Sequence, residues 1–100
     1  IYEGAIGLAE NLIASDGSIA IRICKDAFCK NLINRFKKPI VSTSANISGA
    51  APPKNFSEIS SEIKNAVDYI VEYRQDDRTP SQPSSLIRWN KEGGITVIRP

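Results

Sequence analysis

Residues 39–49, PIVSTSANISG, set a short apolar run against Ser42, Thr43, Ser44 and Asn46 and close on Gly49. Hydroxyl and amide side chains just past a strand, with the backbone N–H groups beside them, can converge on an anion such as a phosphate. The same residue types also make the local bonds of an ordinary strand-to-loop turn. The packet alone leaves both readings open. Arg22 and Arg99 alternate with aliphatic residues in two other stretches, SIAIRIC and ITVIRP. A strand arginine is often a solvated edge residue, but two from different strands could clamp a phosphate or carboxylate through paired N–H donors. Ser84 and Ser85, after Pro83, again place hydroxyls where a strand begins.

Other chemistries lack their parts. The chain has no His, which removes the commonest general base and any Ser–His or Cys–His nucleophilic pair. Its two cysteines, Cys24 and Cys29, cannot build a four-ligand zinc site without His. Cys24 falls on an expected strand and Cys29 on an expected helix, so buried free thiols of a reducing compartment are the better reading, with a disulfide as the alternative. Asp76 and Asp77 lie in a polar loop, without partners at metal-ligand spacing. Lys25, Lys30, Arg35, Lys37 and Lys38 spread around a helix, the pattern of a solvated face that an RNA backbone would tolerate.

The totals place these residues in a globular setting: 100 residues, 41% hydrophobic, 24% charged, net charge +2. That charge is too small to argue nucleic-acid binding by itself. No apolar run approaches the ~18 residues of a membrane span, and no signal-peptide pattern opens the chain, so a cytoplasmic protein is expected. No Met is present, and neither end has a polar, fraying tail. An excerpt of a longer protein is therefore expected.

The elements follow from periodicity. Residues 5–13 place Ile6, Leu8, Leu12 and Ile13 near one helical face, with Gly7 weakening its start. Residues 18–24 alternate Ile19, Ile21 and Ile23 with polar or small residues, predicting a strand. Asp26 can cap a helix whose stripe is Phe28, Leu32, Ile33 and Phe36, with Lys37 and Lys38 at its C-terminal end and Pro39 as its stop. IVST at 40–43 predicts a short strand, and GAAPPKN a loop. A helix from about Phe56 to Asn65, capped by Asn55 or Ser57, precedes a strand at 67–73 and a polar, Pro-interrupted loop. The stretches SSLIRW and ITVIRP predict strands joined by a hairpin across NKEGG. This order argues an α/β or α+β sheet with antiparallel pairing at its end.

Taken in order, GSIAIRI, KPIVSTSANISG, a Pro-containing loop, a helix, VDYIVEY, PSSLIRW and ITVIRP resemble the C-terminal half of a YrdC-like domain, the threonylcarbamoyl-AMP synthase family. The resemblance spans essentially the whole chain and about half of such a domain. It implies a YrdC/RibB-like twisted mixed sheet flanked by helices, with residues 1–100 as the C-terminal half of one domain. It implies an ATP-dependent nucleotidyltransferase making threonylcarbamoyl-adenylate from threonine, bicarbonate and ATP, with Mg2+ accompanying ATP and no organic cofactor. The product would serve tRNA modification, with tRNA or tRNA-modification proteins as further partners and no membrane.

Residue by residue, the resemblance assigns Ser18, Ser44, Asn46 and Arg99 to ATP, and Arg22, Ser42 and Ser84 to threonine. It assigns no catalytic nucleophile and no metal ligand. Two anions, a carbamate and an α-phosphate, must be pressed together, so positioning and charge neutralisation would carry the reaction. The chain departs from the family at Cys24, where Pro is usual, at Ser84-Ser85-Leu86 in place of Ser-Thr-Val, and at Ala50-Ala51-Pro52-Pro53 after Gly49. The family's Lys-x-Arg stretch belongs to the N-terminal half, so this chain alone is expected to be inactive. Two other functions fit the resemblance: a double-stranded RNA or tRNA-binding module without synthase activity, and a related carbamoyl-transfer domain.

Overall fold

The computed structural model describes residues 1–100 as a mixed α/β chain with two α-helices and one two-stranded antiparallel sheet. It divides into two units: Ile1–Pro39 with Ser84–Pro100, and Ile40–Pro83.

The first unit holds α1 (Ala27–Phe36), β1 (Leu86–Trp89) and β2 (Ile95–Arg99). Helix α1 forms where the sequence predicts it. Asp26 is extended and its side chain accepts from the Cys29 N–H at 3.0 Å, satisfying one of the amides left unpaired at a helix start. Lys37 ends the helix in the left-handed conformation, φ 61°, with its N–H on the Ile33 carbonyl at 2.8 Å. The hairpin also forms as predicted, with Ile87 opposite Val97, Arg88 opposite Thr96 and Trp89 opposite Ile95. Gly93 makes the turn at φ 82°, where a side chain would be strained. Leu86, however, faces Arg99, so Ile98 has no counterpart and β2 carries one extra residue there.

The predicted strand at 18–24 is reduced to a single bridge. Tyr2 and Ile19 exchange both backbone bonds, at 2.8 and 2.9 Å, and the rest of the stretch joins no ladder. Its isoleucines record the consequence: Ile19 is 6% exposed, Ile21 50% and Ile23 83%. The predicted helix at 5–13 shrinks to one 3-10 turn, Glu10–Leu12, because Gly7 takes φ 74° and Ile6 finds nothing to pack on.

In the second unit the helix predicted from about Phe56 to Asn65 splits. A 3-10 turn, Phe56–Glu58, is capped by Asn55, and α2 (Ser61–Ala66) by Ser60, with extended Ile59 and Ser60 between them. Lys64 of α2 sits 4.3 Å from the centre of the Phe56 ring and ties the two turns together. The Pro-interrupted loop is held by Arg74 on Asp77 (2.6 Å) and by the Ser81 N–H on the Lys54 carbonyl (2.8 Å). The strands predicted at 40–43 and 67–73 do not pair. A strand exists only where its N–H and C=O groups meet a partner.

Ile19 is the one buried apolar residue, and no side chain is completely enclosed. The chain exposes 8637 Å². A compact 11.0 kDa monomer exposes about 5,600 Å², and two separately compact halves about 6,800 Å². No helix is long and apolar enough to cross a membrane.

Candidate functional site

Ser84 stands two residues before β1, and Arg99 closes β2. The offset register sets Arg99 against Leu86, and its Nε donates to the Ser84 carbonyl at 2.9 Å. Arg22, three residues after Ile19, donates from Nη1 to the Ser84 hydroxyl at 3.2 Å. Two guanidinium groups from distant parts of the sequence therefore meet on one serine. Neither is drawn into an ion pair, and both are exposed. Each spends one donor on Ser84, which leaves further N–H groups and an uncompensated positive charge for an anionic ligand.

Ser18 is placed differently. It is 5% exposed, and its backbone N–H and hydroxyl both donate to Asp16 Oδ1, at 2.9 and 2.6 Å. Asp16 Oδ2 accepts from Arg88 at 3.4 Å. The hydrogen bonds from Ser18, with Arg88 adding to them, hold the Asp16 carboxyl down at about 2. The Ser18 proton is thus committed within the chain. Sequence reading did not anticipate this cluster, although Asp-Gly-Ser spacing is a familiar signal for an aspartate that closes its own turn.

In the second unit, Ser42 and Ser44 are exposed and their hydroxyls have no partner in the protein. Asn46 builds the loop that follows. Its Nδ2 donates to the carbonyls of Ile47 (2.9 Å) and Ala50 (3.0 Å), while the Ala50 N–H returns to the Ile47 carbonyl at 2.9 Å. Gly49 takes φ 87° to complete it. Asn46 Oδ1 is buried and accepts nothing. A buried acceptor without a donor costs about 1–3 kcal/mol, so it marks a place where a ligand N–H or O–H would be rewarded.

Of the residues predicted from sequence, then, Arg22, Ser84 and Arg99 are brought together. Ser18 lies in the same unit and faces Asp16, and Ser42, Ser44 and Asn46 lie along one loop of the other unit. Arg22 was expected on a strand and instead lies in a segment that pairs with no strand. The two cysteines are free and half-buried rather than fully buried.

The family model Sua5_yciO_yrdC, described as "Telomere recombination", matches residues 2–100. Among curated relatives, the threonylcarbamoyl-AMP synthase of Wigglesworthia glossinidia brevipalpis is 41% identical over 56 residues, which are 56% of this chain and 29% of that protein. That of Riesia pediculicola is 44% identical over 50 residues, 50% of this chain and 27% of the relative. That of Aliivibrio fischeri is 35% identical over 69 residues, 69% of this chain and 36% of the relative. The matched stretches thus span 27% to 36% of these relatives' length. No solved structure matches the chain.

Proposed function

The chain belongs to the Sua5–YciO–YrdC family, and on that premise we propose that it is the C-terminal half of a cytoplasmic threonylcarbamoyl-AMP synthase domain. The observation that carries the reading is the meeting of Arg22 and Arg99, neither neutralised by a carboxylate, on Ser84. The complete domain would convert threonine, bicarbonate and ATP into threonylcarbamoyl-AMP, pyrophosphate and water, for threonylcarbamoylation of a tRNA adenosine. The threonine nitrogen takes up the bicarbonate carbon with loss of water. A carbamate oxygen then attacks the α-phosphorus, and pyrophosphate leaves.

Nucleophile and electrophile are both anionic in this reaction, so fixed positive charge and orientation lower its barrier without a protein nucleophile. In this reading Arg22, Ser42 and Ser84 hold threonine, with the Arg22 guanidinium on its carboxylate. Ser18, Ser44, Asn46 and Arg99 hold ATP. The Ser18 proton is already given to Asp16, so that residue offers the nucleotide its lone pairs. The unpartnered Asn46 Oδ1 supports a donor from the ligand at that position. Mg2+ arrives on the ATP phosphates as part of the substrate and helps neutralise the leaving pyrophosphate. No cluster of three His, Cys, Asp or Glu side chains gathers in the chain to hold a metal of its own.

The N-terminal half of the domain would supply the Lys-x-Arg stretch and the strands that complete a twisted mixed sheet. The unpaired stretches at 20–24, 40–43 and 67–73, and the large exposed surface, support that division. The test is pyrophosphate release by the full-length protein. Release that requires ATP, threonine and bicarbonate together is expected, with none from this chain alone. Full-length protein that releases none overturns the assignment.

A further inference from the structure

Ile1 and Tyr2 are held between two segments that are distant in sequence. Tyr2 exchanges both backbone bonds with Ile19, at 2.8 and 2.9 Å, which makes an antiparallel pair. On the other side, the Ile1 nitrogen donates to the Ile87 carbonyl, and the Trp89 N–H donates to the Ile1 carbonyl at 3.2 Å. A residue that bonds the carbonyl before Arg88 and the N–H after it is paired with Arg88 in parallel. Tyr2 thus bonds towards Ile19 and Ile1 towards β1, the alternation of a strand with a neighbour on each side.

Beyond this clasp the two flanks run on with no backbone between them. Residues 20–24 join no ladder, and β1 has β2 as its one strand neighbour. From Ile19 and from Arg88 both flanks lead the same way, to Arg22 and to Ser84, whose side chains meet at 3.2 Å. We propose that in the complete domain the segment leading into Ile1 fills this gap as a strand, antiparallel to 20–24 and parallel to β1. The inference rests on the reading that an N-terminal half adjoins this chain, and it adds a register to that reading.

The register comes from continuing the two observed pairs. The residue just before Ile1 exchanges both bonds with Ile21. The residue two before bonds the Ser85 carbonyl and the Ile87 N–H, and the residue three before meets Ile23. With Ile1 and Tyr2 this makes a strand of about five residues, the common length. Directly opposed side chains share a face of a sheet. The residue two before Ile1 therefore shares the face of Arg22 and Leu86, and stands beneath the contact between Arg22 and Ser84. It forms part of the floor of the threonine site. The residues one and three before Ile1 join the opposite face, beside Ile21 and Ile23, both exposed in this chain.

The test uses the full-length protein and no catalytic readout, so it is separable from pyrophosphate release. A strong Hα–Hα contact by NMR is expected between Arg22 and the residue two before Ile1, because such a pair sets its Cα atoms about 4.5 Å apart. The amides of Ile21, Ile23 and Ile87 should exchange with deuterium at least about tenfold more slowly than in the 100-residue chain. Full-length protein that shows both results yet releases no pyrophosphate supports the strand and overturns the synthase assignment alone. A contact shifted by one residue would reverse the two faces and overturns the proposal. So does a different segment or a second copy of the chain in the gap, or exchange of the three amides as fast as in the 100-residue chain.

Discussion

Replacing Arg22 by Ala in the full-length protein separates ligand binding from folding. In the structure Arg22 makes one exposed hydrogen bond, to the Ser84 hydroxyl at 3.2 Å, and no ion pair. Solvent competes for such a bond, so its loss should cost the fold no more than about 1 kcal/mol. A guanidinium on the threonine carboxylate is a charge-assisted contact worth about 1.5–3 kcal/mol. The KM for threonine should therefore rise about 10- to 150-fold, with the melting temperature nearly unchanged. Arg22→Lys keeps the charge and loses the planar pair of donors, so it should fall between wild type and Arg22→Ala. Pyrophosphate release at varied threonine, with thermal melts on the same samples, supplies both quantities. An unchanged KM for threonine, or a loss of activity that simply tracks the melting temperature, would refute the role given to Arg22.

Three further outcomes follow from particular contacts. Asp26→Ala should weaken α1 by about 1 kcal/mol, and Asp26→Asn by much less, read as helical circular dichroism against urea. Ser18→Ala should raise the Asp16 pKa from about 2 towards the ordinary carboxylate range, followed by NMR titration of its carboxyl group. Because the folded pKa lies below the unfolded one, Asp16 supports the fold above about pH 4 and loses that support as pH falls towards 2. Ser18→Ala should make that acid dependence shallower. Finally, with 8637 Å² exposed in the folded state, unfolding of this chain uncovers about 7,000 Å² instead of the roughly 10,000 Å² of a compact chain of its mass. Its unfolding heat capacity should be about 70% of the usual value for its length. A full-sized heat capacity would contradict the exposed area of the folded chain.

What the sequence made legible was what it encodes locally. Asp26, Lys37 and Pro39 bracket α1, and Gly93 marks the hairpin turn; each acts within a few residues of itself. The stretch 18–24 shows where local reading ends. Ile19, Ile21 and Ile23 share one alternating pattern, yet only Ile19 meets another backbone, that of Tyr2. Alternation states which face a segment would bury, while pairing depends on a partner supplied elsewhere. The same limit applies to 40–43 and 67–73. At the candidate site, the serines, Asn46 and the arginines were visible as residue types, and the family resemblance gave them roles. That Arg22 and Arg99 share Ser84 was not legible, because no local rule links positions so far apart. The capture of the Ser18 hydroxyl by Asp16 was local and went unread.

The unmatched Ile98 gives the hairpin an arithmetic property. Ile98 is the residue that the register leaves over, and Arg99 beyond it still meets Leu86. Removing Ile98 would restore a regular ladder with the arginine still opposite Leu86, one residue nearer the turn and without the local bend that an extra residue imposes. A homologous hairpin can therefore be one residue shorter and keep the arginine at the same partner, and alignments in this region should be judged by strand partner before spacing from the glycine turn.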